Sequence, residues 1–177
     1  MPLYEKVAAA GASGRGGGGL SADAYFRLGL CVHDFLGKPL EAERHYRAAL
    51  AAVSSDERSL AARVHANWGL ALQQAGAAAS DPAVLEHHQV AVALDPDCAE
   101  CAFHAGNCAL EQAHGLQQQQ KHAAADALAE AVRLLQRALE LGGEASFPSL
   151  AGNLAAINRS GRAAIPRIPL PPTPSAW

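Results

Sequence analysis

Residues 94–107 read Leu-Asp-Pro-Asp-Cys-Ala-Glu-Cys-Ala-Phe-His-Ala-Gly-Asn, and this stretch decides the fold. Leu94 and Pro96 mark the end of one apolar, helix-forming segment, because proline cannot continue a helix. Asp97 with Glu100 predicts that the next helix begins at once, and Gly106 follows Pro96 by ten residues. The stretch is therefore predicted to join two consecutive helices.

Outward from this junction, apolar residues at three- and four-residue steps predict seven helices. Their expected limits are Ser21 to Gly37, Leu40 to Val53, a Ser54–Glu57 capping box to Gly76, Asp81-Pro82 to Leu94, Asp97 to the Gln117–Gln120 run, an Ala/Leu-rich helix ending at Leu141-Gly142-Gly143, and Ser146 to Asn158. The last of these carries one apolar stripe, formed by Phe147, Leu150, Leu154 and Ile157. Such a stripe is typical of a helix that caps the end of a helical array.

Composition divides the chain into three parts. Residues 1–20 are predicted to be a flexible Gly/Ala-rich leader, and residues 21–158 a helical domain. Residues 159–177 form a Pro-rich tail in which polyproline II is favoured over helix. The tail's Arg167 misses by one residue the register that SH3 domains recognise, so a disordered tail is the preferred interpretation.

The junction resembles the boundary between two tetratricopeptide repeats (TPRs), a family of paired helices with small residues where the helices cross. The matching positions are Tyr25, Leu28, Gly29, Val32, Ala42, Tyr46, Ala49 and Leu50 in a first repeat, Trp68, Gly69, Leu72, Gly76, Ala91, Leu94 and Pro96 in a second, and Phe103, Gly106, Asn107, Ala131, Leu135, Ala138 and Leu141 in a third. Val84 and His88 depart from the family pattern, and the spacings Gly29–Gly69 and Gly69–Gly106 are 40 and 37 residues, above the family's roughly 34. The resemblance implies an all-α fold, an α-α superhelix of three helix pairs plus a C-terminal capping helix.

The resemblance also implies a binding surface on the concave face formed by the first helix of each pair. The residues at those positions, which become the candidate partner-binding residues, are Phe26, Leu30, His33, Arg63, Asn67, Leu70, Gln73, Phe103, Asn107 and Glu111. TPRs that hold chaperone C-terminal tails use lysine, arginine and asparagine where this chain has Leu30, Glu100 and His104. Because Glu100 would repel a carboxylate, an apolar or amphipathic peptide is the expected partner, with Phe26 and Phe103 as its anchors.

Composition excludes several other classes of function. Only 5% of the residues are aromatic, which disfavours a β-sandwich. The net charge of −3 offers no basic surface for nucleic acid, and no apolar run approaches the roughly 18–20 residues of a membrane span. The first 19 residues do not read as a secretion signal, so a cytoplasmic location is predicted, with organelle import left open.

Four cysteines, Cys31, Cys98, Cys101 and Cys108, are expected to be reduced thiols in such a compartment. Cys98, Cys101, His104 and Cys108 have metal-ligand side chains, but on one helix Cys98 and Cys108 would lie about 15 Å apart, too far to share one ion. Helix packing is therefore the preferred role of these cysteines. No catalytic or cofactor-binding motif occurs elsewhere, so no enzyme activity, metal or cofactor is predicted.

The sequence thus predicts a protein–protein adaptor that binds a partner segment on its concave TPR surface. One alternative is a structural subunit whose surface is buried in a larger assembly. A second is a redox- or metal-responsive protein that uses Cys98, Cys101, His104 and Cys108.

Overall fold

The computed structural model describes residues 20–116 and 121–147, together with residues 150, 152, 154 and 157. Across these residues the chain forms six α-helices, one π-helical segment and no strand: α1 (Ala22–Leu30), which is followed directly by the π-helical segment Cys31–Phe35, α2 (Pro39–Ala52), α3 (Arg58–Gln74), α4 (Pro82–Leu94), α5 (Ala99–Leu116) and α6 (Lys121–Ser146). The all-α class is therefore confirmed. The predicted leader (residues 1–19), glutamine run (117–120) and Pro-rich tail (159–177) lie outside the described residues. None of the described helices is long and apolar enough to cross a bilayer.

The helices pack in sequential pairs, α1 with α2, α3 with α4, and α5 with α6. The second helix of each pair also contacts the first helix of the next pair. In addition α1 touches α3 and α3 touches α5. The first helix of the middle pair therefore contacts the first helices of both other pairs.

In every pair, a glycine of the first helix lies directly against a bulky side chain of the second. The three contacts are Gly29–Tyr46, Gly69–His88 and Gly106–Leu135. A Cβ atom added to these glycines would lie 2.5, 2.9 and 2.8 Å from the facing side chain, closer than van der Waals contact allows. Only glycine therefore permits the backbones to approach this closely, and these are the three glycines that carry the TPR resemblance.

Small residues line the second helices where they cross the first. Ala42, Ala49, Ala91, Ala131 and Ala138 have no exposed surface. Val84, which departs from the small-residue pattern, is also fully buried. The second helix of each pair therefore buries the positions that the repeat pattern assigns to the crossing.

The predicted apolar stripe near the C-terminus is buried. Leu150, Leu154 and Ile157 are helical and join a core cluster with residues of α5 and α6, and Phe147 packs against the same cluster. These side chains therefore bury apolar surface of the third pair, whereas their role as the cap of a superhelix stays a prediction.

The prediction that the sixth helix ends at Leu141-Gly142-Gly143 is wrong, because α6 continues to Ser146. A Cβ on Gly142 would lie 2.7 Å from the Phe147 ring and 3.1 Å from Ala99. Gly142 is therefore a contact position inside the helix rather than a terminator. Glycine inside a helix costs about 1 kcal/mol relative to alanine, and here it makes room for Phe147.

Helix starts follow the sequence at two places and differ at two others. Ser21 Oγ accepts the N–H of Ala24, and Asp81 Oδ1 accepts the N–H of Ala83, so both act as N-caps. The Ser54–Glu57 pair does form hydrogen bonds, but α3 begins only at Arg58. The pair therefore closes the preceding turn and is not a capping box.

The start of α5 was predicted from Asp97 and Glu100, yet neither carboxylate caps it. Cys98 directly precedes the helix, and its Sγ accepts the N–H of Cys101 at 3.1 Å. Asp97 instead forms an ion pair with Arg137 of α6. A sulfur atom therefore occupies the position where a carboxylate or hydroxyl oxygen was expected.

Candidate functional site between α3 and α5

An open pocket of about 490 Å³ lies between α3 and α5. Four of the candidate partner-binding residues line it, namely Leu70, Gln73, Asn107 and Glu111. Five residues outside the ten candidates also line it: Gln74, Ala77, His104, Leu110 and His114. Leu110 and His114 lie three residues beyond Asn107 and Glu111 on the same helix, so helical spacing alone points to them.

Apolar and polar groups face each other across this pocket. Leu70 and Leu110 supply apolar surface from opposite helices, while Gln73 Nε2 donates a hydrogen bond to Glu111 Oε2 at 2.9 Å. Glu111 is exposed and lies at the pocket edge. The pocket therefore combines apolar contact area with a solvent-accessible acceptor, a combination common in ligand pockets.

Gln73 connects this edge to a buried histidine of α4. Its Oε1 accepts a hydrogen bond from His88 Nε2 at 3.1 Å, while its Nε2 donates to Glu111. The other ring nitrogen of His88, Nδ1, is buried and has no hydrogen-bond partner among the described residues. A chain of hydrogen bonds thus runs from the core of the second pair to the pocket edge.

Burial is the main reason why the pKa of His88 falls to about 4, and the neighbouring histidines His104 and His87 lower it further. Burial also lowers the pKa of His104, and the nearby Glu100 carboxylate opposes that shift. Both rings are therefore neutral at pH 7. In the sequence His88 is only a departure from the family pattern. Its hydrogen bond could not be predicted there, because the acceptor Gln73 lies on another helix.

A second polar contact joins α3 to α5 beside the pocket. Glu100 accepts hydrogen bonds from Asn67 Nδ2 at 3.0 Å and from Arg63 Nε at 3.3 Å. Asn67 is buried, whereas Arg63 is exposed. The Glu100 carboxylate, which was expected to repel an incoming anion, is therefore held by a cation and an amide of this same chain.

The two phenylalanines expected to anchor a partner are placed differently. Phe26 is only 1% exposed and belongs to the core of the first pair, where the Arg63 guanidinium lies 5.1 Å from its ring centre. Phe103 is half-buried, and its ring stacks on Phe147 at a centroid distance of 4.6 Å. Phe26 is therefore a core residue rather than a surface anchor. Helical periodicity alone could not predict this, because it does not show that α3 covers the ring.

Leu30 and His33 also lie away from the pocket. Leu30 is half-buried against the core of the first pair. His33 is buried, with Nδ1 3.1 Å from the Tyr46 hydroxyl and Nε2 2.9 Å from Gln74 Oε1. Since Gln74 Oε1 can only accept, Nε2–H donates to it, and Nδ1 accepts a hydrogen bond from the Tyr46 hydroxyl. His33, in the π-helical segment that follows α1, therefore connects this segment to α2 and α3 instead of facing a partner.

The cysteines do not form one cluster. Cys98 and Cys101 are joined by a disulfide, so the expectation of four reduced thiols is wrong for this pair. Cys108 is buried and donates to the Ala79 carbonyl oxygen, and burial raises the pKa of its thiol to about 11. Within the described part of the chain no three His, Cys, Asp or Glu side chains are arranged to hold a metal ion.

The ten candidate residues therefore separate into three groups. Leu70, Gln73, Asn107 and Glu111 converge on the α3–α5 pocket, whereas Phe26, Leu30 and His33 pack within the first pair. Arg63, Asn67 and Phe103 make contacts beside the pocket. No protein-family model matches this chain, and no curated protein matches it either.

Proposed function

We propose that this chain is a TPR-like adaptor that binds a segment of another protein in the α3–α5 pocket. The repeated glycine contact supports the repeat assignment, since Gly29, Gly69 and Gly106 each face a bulky side chain of the following helix. The contacts of α1 with α3 and of α3 with α5 are those that stacked helix pairs make. A superhelix of three such pairs presents its first helices as a shared binding face, and we place this activity in the cytoplasm.

The observation that carries the proposal is the convergence of Leu70, Leu110 and Glu111 on one open pocket. A pocket of about 490 Å³ accommodates one or two side chains of an extended or helical segment rather than a folded domain. The segment would place an apolar side chain between the two leucines and a hydrogen-bond donor or cation near Glu111. An amphipathic peptide has this combination.

C-terminal carboxylate tails of chaperones fit this pocket poorly. Glu111 would face the incoming carboxylate, and the Arg63 guanidinium already pairs with Glu100. Like charges brought together in a partly desolvated site oppose binding. The preferred ligand is therefore neutral or cationic at the end that reaches Glu111.

Glu111→Lys tests the proposal, because it reverses the charge at the pocket edge at an exposed position of α5. Asp126→Lys is the matched control, being the same reversal at an exposed position of α6 outside the pocket. A partner is first captured with wild-type protein and identified by mass spectrometry, and its binding segment is then titrated calorimetrically against all three proteins. We expect Glu111→Lys to weaken binding at least tenfold and Asp126→Lys to leave it within twofold.

Equal binding by both variants, with unchanged helix content, would show that the partner binds outside the pocket. The alternative role as a subunit buried in a larger assembly would then be favoured by a separate observation. Phe35, Leu36 and Leu40 are 85%, 49% and 66% exposed, from the end of the π-helical segment after α1 to the first turn of α2. Loss of the captured partner in Phe35→Ser, but not in Glu111→Lys, would support that alternative.

A further inference from the structure

The Cys98–Cys101 disulfide lies at the first turn of α5, in the sequence Cys-Ala-Glu-Cys. Cys98 precedes the helix directly, and its Sγ accepts the backbone N–H of Cys101 at 3.1 Å. A sulfur at this position faces the free N–H groups and the partial positive charge of the helix N-terminus. These groups would stabilise a thiolate on Cys98 when the disulfide is opened.

The two sulfur-bearing residues differ in their accessibility. Cys101 has no exposed surface and packs among Ala62, Ala66 and Ala91 in the core between the second and third pairs. Cys98 is partly exposed at the edge of that cluster. An external thiolate can therefore approach Cys98, while Cys101 is shielded by the core.

The charges around the pair leave Cys98 open to reaction. Asp97 is paired with Arg137, and Glu100, which lies between the cysteines in sequence, is held by Arg63. Asp95 accepts the backbone N–H of Asp97. Two of the three nearby carboxylates thus have a cationic partner, which reduces their repulsion of an approaching thiolate.

A purely stabilising role explains this disulfide less well. The bond closes a loop with only two residues between the cysteines, and short loops restrict the unfolded chain less than long ones do. In the cytoplasm, where we propose that this chain acts, disulfides are also typically transient and catalytic or redox-sensing. A reactive bond is consistent with both considerations.

We propose that Cys98 and Cys101 form a redox-active disulfide that exchanges with dithiols. A thiolate of the external dithiol attacks Cys98 Sγ, forming a mixed disulfide and releasing Cys101 as a thiolate that takes up a proton. The second thiol of the reductant, as its thiolate, then attacks the reductant's first sulfur atom, which is bonded to Cys98 in the mixed disulfide. This step releases Cys98 as a thiolate. In total two electrons reduce the Cys98–Cys101 bond to two thiols, while the external dithiol becomes a disulfide.

The first measurement uses the full chain without any partner, so its outcome is independent of the proposed adaptor function. The protein is equilibrated in buffers of varied reduced-to-oxidised glutathione ratio, and free thiols are then trapped by rapid alkylation and located by peptide mass spectrometry. We expect the Cys98–Cys101 bond to open and re-form reversibly across this series. A bond that stays closed in excess dithiothreitol while the chain remains folded, or that never forms in oxidised glutathione, would overturn the proposal.

The second measurement compares the alkylation rates of the two cysteines in the reduced wild-type protein. We expect Cys98 to react at least tenfold faster than Cys101 because only Cys98 is accessible, and equal rates would contradict the assignment of roles. In the same assay, Cys101→Ser is expected to trap a glutathione mixed disulfide on Cys98. Cys31→Ser and Cys108→Ser serve as controls that keep the reversible bond, and loss of the bond in either control would show that the exchanging pair was misassigned.

Discussion

The first and second helix pairs both pack through a glycine–ring contact, but the polar atoms of the two rings are bonded differently. In both, a glycine of the first helix lies against a ring of the second, Gly29 against Tyr46 and Gly69 against His88. Tyr46 has its hydroxyl hydrogen-bonded to His33. The Nδ1 atom of His88 has no such partner among the described residues.

This difference shows that close approach of two helices and satisfaction of their polar groups are separate requirements. The glycine sets the distance between the backbones, whereas the ring that fills the space brings its own polar atoms into the core. A buried polar atom without a hydrogen bond costs about 1–3 kcal/mol. The second pair, where the sequence departs from the repeat pattern at Val84 and His88, is therefore expected to be the more pH-sensitive part of the molecule.

The largest expected effect comes from adding a side chain at the first contact. In Gly29→Val the new Cβ would lie 2.5 Å from Tyr46, a fully buried ring, so we expect a loss of about 3 kcal/mol in the free energy of unfolding. In Gly69→Val the corresponding distance to His88 is 2.9 Å, and we expect a smaller loss of about 2 kcal/mol. Urea unfolding followed by circular dichroism at pH 7 measures both.

Gly115→Val is the matched control for this comparison. Gly115 also lies in a first helix, α5, but no atom lies within 4 Å of an added Cβ. We expect a change within about 0.5 kcal/mol, since valine forms helix slightly better than glycine. If Gly29→Val were as stable as Gly115→Val, the close contact between α1 and α2 would not exist in solution.

The next effect is a dependence of stability on pH that belongs to the second pair. The pKa of His88 falls from its usual 6.5 to about 4 in the folded chain, so below pH 6.5 the unfolded chain binds the proton more readily. The contribution of His88 to the free energy of unfolding is therefore fully present above pH 6.5 and is lost as the pH falls towards 4. We expect about 2 kcal/mol less unfolding free energy at pH 5 than at pH 7 from this residue.

His88→Phe identifies the source of that dependence, because phenylalanine keeps a ring against Gly69 but cannot be protonated. Burial also lowers the pKa of His65, His87 and His104, so the variant should keep part of the pH dependence. The difference between wild type and His88→Phe should account for about 2 kcal/mol between pH 7 and pH 5. Parallel pH profiles for the two proteins would assign the effect to the other histidines.

The sequence predicted those features that depend on local spacing. The glycines at the three helix contacts, the apolar stripe from Phe147 to Ile157 and the Asp81-Pro82 helix start are read from residues close together in the chain. Features that need the distance between helices were missed. The hydrogen bonds that join His88, Gln73 and Glu111 involve three helices, and the burial of Phe26 depends on how α1 and α2 pack with α3.

Two wrong predictions have a different physical origin. In both, the residue was recognised in the sequence, but a contact with another side chain determined what it does in the folded chain. The sequence predicts that the sixth helix ends at Gly142, yet the Phe147 ring and Ala99 occupy the space beside this glycine and α6 continues. Cys98 and Cys101 are expected from the sequence to be reduced thiols, yet the helix start brings their sulfur atoms into bonding contact, while Cys101 also packs in the core. Composition and periodicity report neither contact, because both depend on side-chain positions that only the folded chain defines.

The smallest expected effect removes the polar partner that distinguishes the first pair. Tyr46→Phe keeps the ring against Gly29 but deletes the hydroxyl that hydrogen-bonds to His33 Nδ1, and we expect a loss of about 1 kcal/mol in the free energy of unfolding. Tyr25→Phe, at a partly exposed position of α1, removes a hydroxyl from a wetter environment and should cost less than about 0.5 kcal/mol. His88→Phe at pH 7 should by contrast be close to neutral, because the hydrogen bond it loses to Gln73 is offset by removal of the unpaired Nδ1. If Tyr46→Phe and His88→Phe cost the same, the polar partner of the ring does not distinguish the two pairs, and the Nδ1 atom of His88 is satisfied in solution.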